Sequence, residues 1–208
     1  MDKRKLELYL VTDRDLSAGR SIEEIVTDAV RGGVTMVQLR EKHTGTREFI
    51  ELALRLKSLL KPFGVPLIIN DRIDVALASD ADGVHIGQSD MPYALARGIL
   101  GKDKIIGLSV ENFVQIEEAN GLDVDYIGIS PVFSTTTKTD TVAPFGIEGL
   151  RKAVEMSLHP TVAIGGMNRD TAVEVMKTGV DGIAVVSAIV CAPSPSDASK
   201  ELLELIRK

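Results

Sequence analysis

The 208-residue chain has one cysteine, few histidines, a deficit of positive charge and no apolar run of membrane-spanning length. A lone Cys191 forms no internal bridge, which fits a reducing compartment and argues against a cysteine-ligated metal site. His43, His85 and His159 stand at no metal-ligand spacing. With 24 basic against 30 acidic residues the net charge is -6, so the surface has no broad attraction for nucleic acid or anionic membrane. An anionic ligand would have to meet cations gathered locally. The longest apolar run, Ile183 to Ala192, is interrupted by Ser187 and is too short to cross a bilayer. The basic start, Met1 to Lys5, leads straight into the strand-like Leu6-Glu7-Leu8-Tyr9-Leu10 rather than a signal-peptide segment, so a cytoplasmic protein is expected. No linker or low-complexity tract divides the chain, and a composition of 44% hydrophobic and 26% charged residues suits one globular domain over residues 1–208.

What is present is a regular alternation. Short β-branched runs occur at Leu8–Val11, Thr35–Leu39, Pro66–Asn70, Gly83–Ile86, Ile105–Ser109, Tyr126–Ser130, Thr161–Ile164 and Gly182–Val186. Amphipathic patterns lie between them at Ile22–Arg31, Arg47–Leu60, Ile73–Ser79, Tyr93–Leu100, Val114–Asn120, Ile147–Ser157, Thr171–Thr178 and Asp197–Arg207. A similar phrase announces several strands: Asp82-Gly83-Val84, Asp125-Tyr126-Ile127 and Asp181-Gly182-Ile183. Continuously apolar strands are buried on both faces, which implies a parallel sheet covered by helices. Eight unbroken βα units predict an α/β fold, a single-domain (β/α)8 TIM barrel. An open doubly wound sheet is the rival, but no glycine-rich dinucleotide turn follows the first strand.

In a barrel of this kind chemistry belongs to the C-terminal strand ends. The second strand ends Gln38-Leu39-Arg40-Glu41-Lys42, and its two-residue period puts Gln38, Arg40 and Lys42 on one face. Converging cations of this sort suit a polyanion, Arg40 offering a fork matched to phosphate; the bland reading is that Arg40 and Lys42 are solvated or paired with Glu41. Asn70-Asp71 and Gln88-Ser89-Asp90 deliver carboxylates to the same rim. Each could be only a helix N-cap, yet together, opposite a cationic ladder, they suit Mg2+ completed by water and phosphate. The connection from Pro131 to Phe145 is the longest in the chain, and its hydroxyls and Lys138 suit closure over a phosphate. Gly165-Gly166 and Ser187 stand after the seventh and eighth strands, where barrels commonly hold a phosphate monoester. Ser109 offers one hydroxyl to the mouth. His85 is expected at the barrel wall with a structural hydrogen bond, and Cys191 as a small buried hydrophobe.

In order and spacing, Gln38-Leu39-Arg40-Glu41-Lys42, Asn70-Asp71, His85 to Asp90, Thr135 to Asp140, Ile164-Gly165-Gly166 and Val186 to Ile189 resemble the signature segments of the thiamine phosphate synthase family. The resemblance implies a (β/α)8 transferase of thiamine biosynthesis. That family joins 4-amino-2-methyl-5-hydroxymethylpyrimidine diphosphate to a thiazole phosphate, or its carboxylate form, and releases diphosphate with one Mg2+ per site. Carried over by position, it gives the pyrimidine diphosphate to Gln38, Arg40, Lys42, Asn70, Ser109 and Lys138, and metal to Asp71 and Asp90. The thiazole phosphate falls to Thr135, Thr137, Gly166, Val186 and Ser187. Arg40, Lys42, Ser109 and Lys138 become the catalytic set. Ser130-Pro131 stands where relatives have Gly-Pro, and Ser134 where many have Pro. A thiazole tautomerase is the nearest alternative, but its relatives carry histidine where this chain has Glu111 and generally lack the equivalents of Asp90 and Lys138. A phosphosugar isomerase would need an acid–base pair that the strand ends do not offer. A non-catalytic binder of a thiamine precursor would have less use for the diphosphate-binding charges. The implied partners are small phosphorylated substrates, with a monomer or homodimer and neither nucleic acid nor membrane.

Overall fold

The computed structural model describes residues 2–134 and 143–207. Eight parallel strands, β1 (Leu8–Val11), β2 (Met36–Leu39), β3 (Leu67–Asn70), β4 (Gly83–Ile86), β5 (Ile105–Val110), β6 (Tyr126–Ile129), β7 (Thr161–Ile164) and β8 (Gly182–Val185), close into a barrel in sequence order, β8 pairing with β1. Outside them lie α1 (Ile22–Arg31), α2 (Thr46–Leu60), α3 (Ile73–Ala78), α4 (Tyr93–Leu100), α5 (Phe113–Asn120), α6 (Gly146–Met156), α7 (Ala172–Met176), α8 (Ser187–Val190) and α9 (Pro195–Ile206). This is the (β/α)8 barrel expected from the alternation, with no open edge.

The element boundaries have local causes. Pro66 has no N–H to give, and β3 starts at Leu67. Ser21 caps α1 in a reciprocal box with Glu24, while Asn112 and Ser194 cap α5 and α9. Pro195 sits in the first turn of α9, so that helix begins two residues before the expected Asp197. After β8, Val186 leaves strand geometry at φ -116° and ψ -85°, and the short α8 follows where the sequence shows only an uninterrupted apolar run.

Two apolar layers result. The larger fills the space between sheet and helices, with Leu39, Leu56, Ile69, Ile86 and Ile127 among its buried members. The smaller lies inside the barrel and contains Leu6, Tyr9, Met36, Ile68, Tyr126, Val162 and Ala184. Gly107 makes room for it, because a Cβ there would stand 2.1 Å from the Tyr126 ring. Two residues onward along the same inner faces, Met36 gives way to Gln38, Ile68 to Asn70 and Gly107 to Ser109. The barrel is therefore apolar toward the N-terminal ends of its strands and polar toward the C-terminal ends.

The repeated Asp phrase is a strand clip at the opposite rim. Asp82 accepts the Leu67 N–H at 2.8 Å, Asp125 the Ile106 N–H at 2.9 Å and Asp181 the Thr161 N–H at 2.8 Å. Each aspartate's own N–H returns a bond to the carbonyl of that same residue. Thr35 makes the equivalent clip between β1 and β2 with its hydroxyl, accepting the Leu8 N–H at 3.0 Å. It stands just outside β2, which begins one residue later than its apolar run suggests.

Candidate active site

At the C-terminal face the strand ends surround a cavity of about 710 Å³. Gln38, Arg40, Lys42, Asn70, Asp71, Asp90 and Ser109 line it together with Gly166, Val186 and Ser187. Every assigned residue within the described part of the chain thus reaches one cavity. Thr135, Thr137 and Lys138 lie outside the described residues.

The carboxylates are not helix caps. Arg72 and Pro92 occupy the N-cap positions of α3 and α4, and neither cap makes a side-chain bond. Asp71 instead sits at φ 61°, a left-handed conformation uncommon outside glycine, in a tight turn where the Arg72 N–H meets the Asn70 carbonyl at 2.7 Å. This backbone, of the kind that costs on the order of 1–3 kcal/mol, is held by the Asp71 N–H bond to the His85 carbonyl at 2.9 Å. Asn70 Nδ2 donates to Asp71 Oδ2 at 2.6 Å, and the Gly87 N–H donates to Asp90 Oδ2 at 2.7 Å. Burial first, and then the facing Asp90 carboxylate, push the Asp71 carboxyl up to about 7, against the pull of Asn70 and Arg40. Two carboxyl groups drawn together beside a cavity have the oxygen-donor chemistry that a hard cation would require. Among the described residues no group of three histidine, cysteine or carboxylate side chains is placed to hold a metal, so water and phosphate oxygens would have to complete the shell.

Arg40 is not paired with Glu41. Its Nη1 donates to Asp13 Oδ2 at 2.8 Å, while Glu41 takes Arg14 Nε at 2.8 Å and the Thr44 hydroxyl. Both Arg40 and Lys42 face the cavity as their strand phase predicts, although β2 itself ends at Leu39.

The floor of the cavity is a hydrogen-bonded chain that the sequence reading did not assemble. Gln38 Nε2 donates to the Tyr9 hydroxyl at 2.9 Å, which shares a 2.8 Å bond with the Tyr126 hydroxyl. Tyr126 meets His85 Nδ1 at 2.9 Å, and His85 Nε2 meets the Ser109 hydroxyl at 2.8 Å. Burial raises both tyrosine hydroxyls well above their ordinary pKa, so the chain is built of neutral phenols. His85 therefore lines the site as well as bonding to the wall. Tyr9, Tyr126 and Asp13 were missed: the tyrosines read as apolar strand residues and Asp13 as loop. Gly107, a glycine inside a strand, was the available signal for Tyr126.

Opposite the carboxylates the wall is glycine and hydroxyl. Gly165 and Gly166 have φ of 99° and 74°, and a Cβ on Gly166 would come 2.8 Å from Phe133 Cβ. Both glycines are thus required by backbone and by the segment after β6, besides leaving the wall open to a ligand. Ser187 opens α8, whose first N–H groups have no intrahelical acceptor. Ser130 lines the cavity and is joined to Pro131 by a cis peptide. Cys191, expected to be buried, is exposed, because the turn that ends α8 brings it to the surface.

Comparison with known proteins finds relatives over nearly the whole chain. Residues 8–189 match the thiamine monophosphate synthase family. A thiamine-phosphate synthase of Vibrio campbellii is 54% identical over 202 residues, covering 96% of this chain and 98% of that protein. One of Chloroflexus aurantiacus is 51% identical over 199 residues, covering 96% and 92%. The solved thiamine phosphate pyrophosphorylase of Pyrococcus furiosus superposes with a TM-score of 0.91 at 42% identity, over 99% of this chain and 97% of that one. A 3-hexulose-6-phosphate synthase, at TM-score 0.68 and 17% identity over 96% and 99%, shares the fold alone. Matched from residue 8 to residue 189 and more than half identical to curated relatives over nearly its full length, the chain belongs to the thiamine monophosphate synthase family.

Proposed function

We propose that this cavity joins the pyrimidine diphosphate to the thiazole phosphate, giving thiamine phosphate and diphosphate. The observation that carries the reading is the polarity of one cavity. Its first wall brings Asp71 and Asp90 together beside Arg40 and Lys42, and its second offers Gly166, Val186 and Ser187. Two phosphorylated reactants suit such a site better than one.

Asp71 and Asp90 would hold one Mg2+. When bound, that ion supplies positive charge to the diphosphate oxygens. Arg40 and Lys42 bind the same group and are aimed at the charge it gains on leaving. Gln38, its Nε2 engaged by Tyr9, is left with Oε1 as an acceptor for the exocyclic amine of the pyrimidine. Asn70 and Ser109 flank it, Ser109 fixed by His85 and by Gln88 Nε2, which donates to its carbonyl at 2.6 Å. The C–O bond to diphosphate breaks with its electron pair going to the departing oxygen, and the pyrimidinylmethyl cation is stabilised by its own ring. The thiazole nitrogen, held through its phosphate at Gly166, Val186 and Ser187, supplies the pair that forms the new C–N bond. Thr135, Thr137 and Lys138 complete the two phosphate sites in this scheme. No protein nucleophile is needed, and the chain's part is charge stabilisation and register.

The test is a purified reaction containing both substrates and Mg2+, followed by diphosphate release and thiamine phosphate formation. Omission of either substrate is expected to stop both signals. Binding without diphosphate release would replace this reading with that of a sensor. No helix among the described residues is long and apolar enough to cross a membrane.

A further inference from the structure

We infer that Asp13, in the segment after β1, is the positioning residue for Arg40, fixing the guanidinium so that its remaining donors point at the departing diphosphate. The inference rests on the assignment of Arg40 to that group. Asp13 is 8% exposed, and its two oxygens have different tasks. Oδ1 accepts the N–H groups of Asp15 and Leu16 at 3.1 and 3.3 Å, which anchors the carboxylate to its own turn. Oδ2 accepts Arg40 Nη1 at 2.8 Å. A second link holds the same two segments together: the Arg40 N–H donates to the Thr12 hydroxyl at 3.0 Å, and the Thr12 N–H to the Gln38 carbonyl at 2.9 Å. Backbone and side chain of Arg40 are thereby both tied to Thr12-Asp13.

Arg40 has five N–H donors, and the Asp13 contact uses one of them. Its side chain is 16% exposed and lines the main cavity. A long cationic side chain beside a second cation, Lys42, gains from the spread of rotamers that solvent offers. A carboxylate fixed by two backbone amides removes that freedom before the substrate arrives. Asp13 also places negative charge beside an anion site, which weakens ground-state attraction for the diphosphate. Its contribution therefore belongs to turnover, through a donor in register with the charge that develops, rather than to affinity.

That division gives the test. Asp13→Asn keeps an oxygen for the Asp15 and Leu16 amides and removes the charge. Turnover at saturating substrates is measured for Asp13→Asn, Arg40→Ala and the double variant, with KM for the pyrimidine diphosphate. In the wild-type background Asp13→Asn is expected to lower kcat about tenfold to a hundredfold, as for a misplaced catalytic group, while KM stays level or falls. In the Arg40→Ala background it is expected to change kcat by less than about twofold. Equal losses in both backgrounds, or an unchanged kcat in the first, overturn the inference while leaving Arg40 in its role. An Arg40→Ala protein with wild-type turnover overturns the role of Arg40 itself and this inference with it. Asp13→Ser, whose hydroxyl still accepts backbone amides, repeats the cycle should the asparagine protein fail to fold, and the same pattern is expected.

Discussion

At the N-terminal rim of the barrel Asp82, Asp125 and Asp181 each accept a backbone N–H and a basic side chain, from Lys57, Arg97 and Lys3 respectively. At the C-terminal rim Asp71 and Asp90 face each other, and Asp71 is pushed up by burial and by its neighbour. Asp82, Asp125 and Asp181 are each matched by a basic side chain, whereas Asp71 meets a second carboxylate, the nearby Arg40 being paired with Asp13. The first arrangement lowers the energy of the folded chain. The second raises it, which is the usual relation between a stable scaffold and a strained site.

The largest expected effect tests whether the mouth takes a metal. Removing divalent ions with a chelator is expected to abolish diphosphate release, with recovery on adding Mg2+, while the circular dichroism melting curve of the ligand-free protein does not move. A structural metal would instead shift the melting curve.

Next come Asp90→Asn and Arg40→Ala, each expected to lower kcat by about 10²–10³-fold, as for single losses at a preorganised charge site. Asparagine can still accept the Gly87 N–H, and it removes the like charge facing Asp71. The melting midpoint of Asp90→Asn is therefore expected at or above that of the wild type. A protein that melts lower and turns over normally would erase the contrast between the two rims.

The parts of this contrast differed in how readable they were. Alternation of apolar runs and amphipathic stretches is enough to specify the barrel, because each strand is buried on both faces and each helix on one. Gln38, Arg40 and Lys42 could be placed from strand phase alone, and Asp71 and Asp90 from their position after strands. The Asp phrase was visible as a repeat, but its meaning was not, since a clip joins residues 15 to 20 positions apart. Thr35 does the same work with a different side chain and escapes the pattern entirely. The Tyr9, Tyr126 and His85 chain was hidden for a related reason. Its members lie on three strands, and only closure of the barrel brings their polar atoms within bonding distance.

Tyr126→Phe probes the link between the apolar interior and the mouth. It removes the hydroxyl to which the buried Tyr9 hydroxyl and the half-buried His85 Nδ1 both bond, a loss of about 1–3 kcal/mol in unfolding free energy. Part of that loss reaches Gln38 through Tyr9, so kcat/KM for the pyrimidine diphosphate is expected to fall about tenfold. Denaturant melts and kinetics on one preparation check both. A full stability loss with unchanged kinetics would confine the chain to the scaffold.

The smallest effects rank the clips among themselves. Asp125→Asn takes the charge from the oxygen that accepts both Arg97 Nη2 and the Ile106 N–H at 2.9 Å, and so weakens two partly buried bonds at once. A loss of about 1–3 kcal/mol is expected, with kcat unchanged because the rim lies at the far end of the barrel from the cavity. Lys3→Met takes away only the basic partner of Asp181 and leaves the Thr161 N–H bond in place. Lys3 is 63% exposed, so its ion pair is screened by water and contributes about 0–1 kcal/mol. If Lys3→Met destabilises as much as Asp125→Asn, charge pairing rather than the backbone clip secures the lower rim, and the three aspartates should lose stability together as salt is raised. If it does not, the clip is the working part, and salt should leave the melting midpoint nearly where it was.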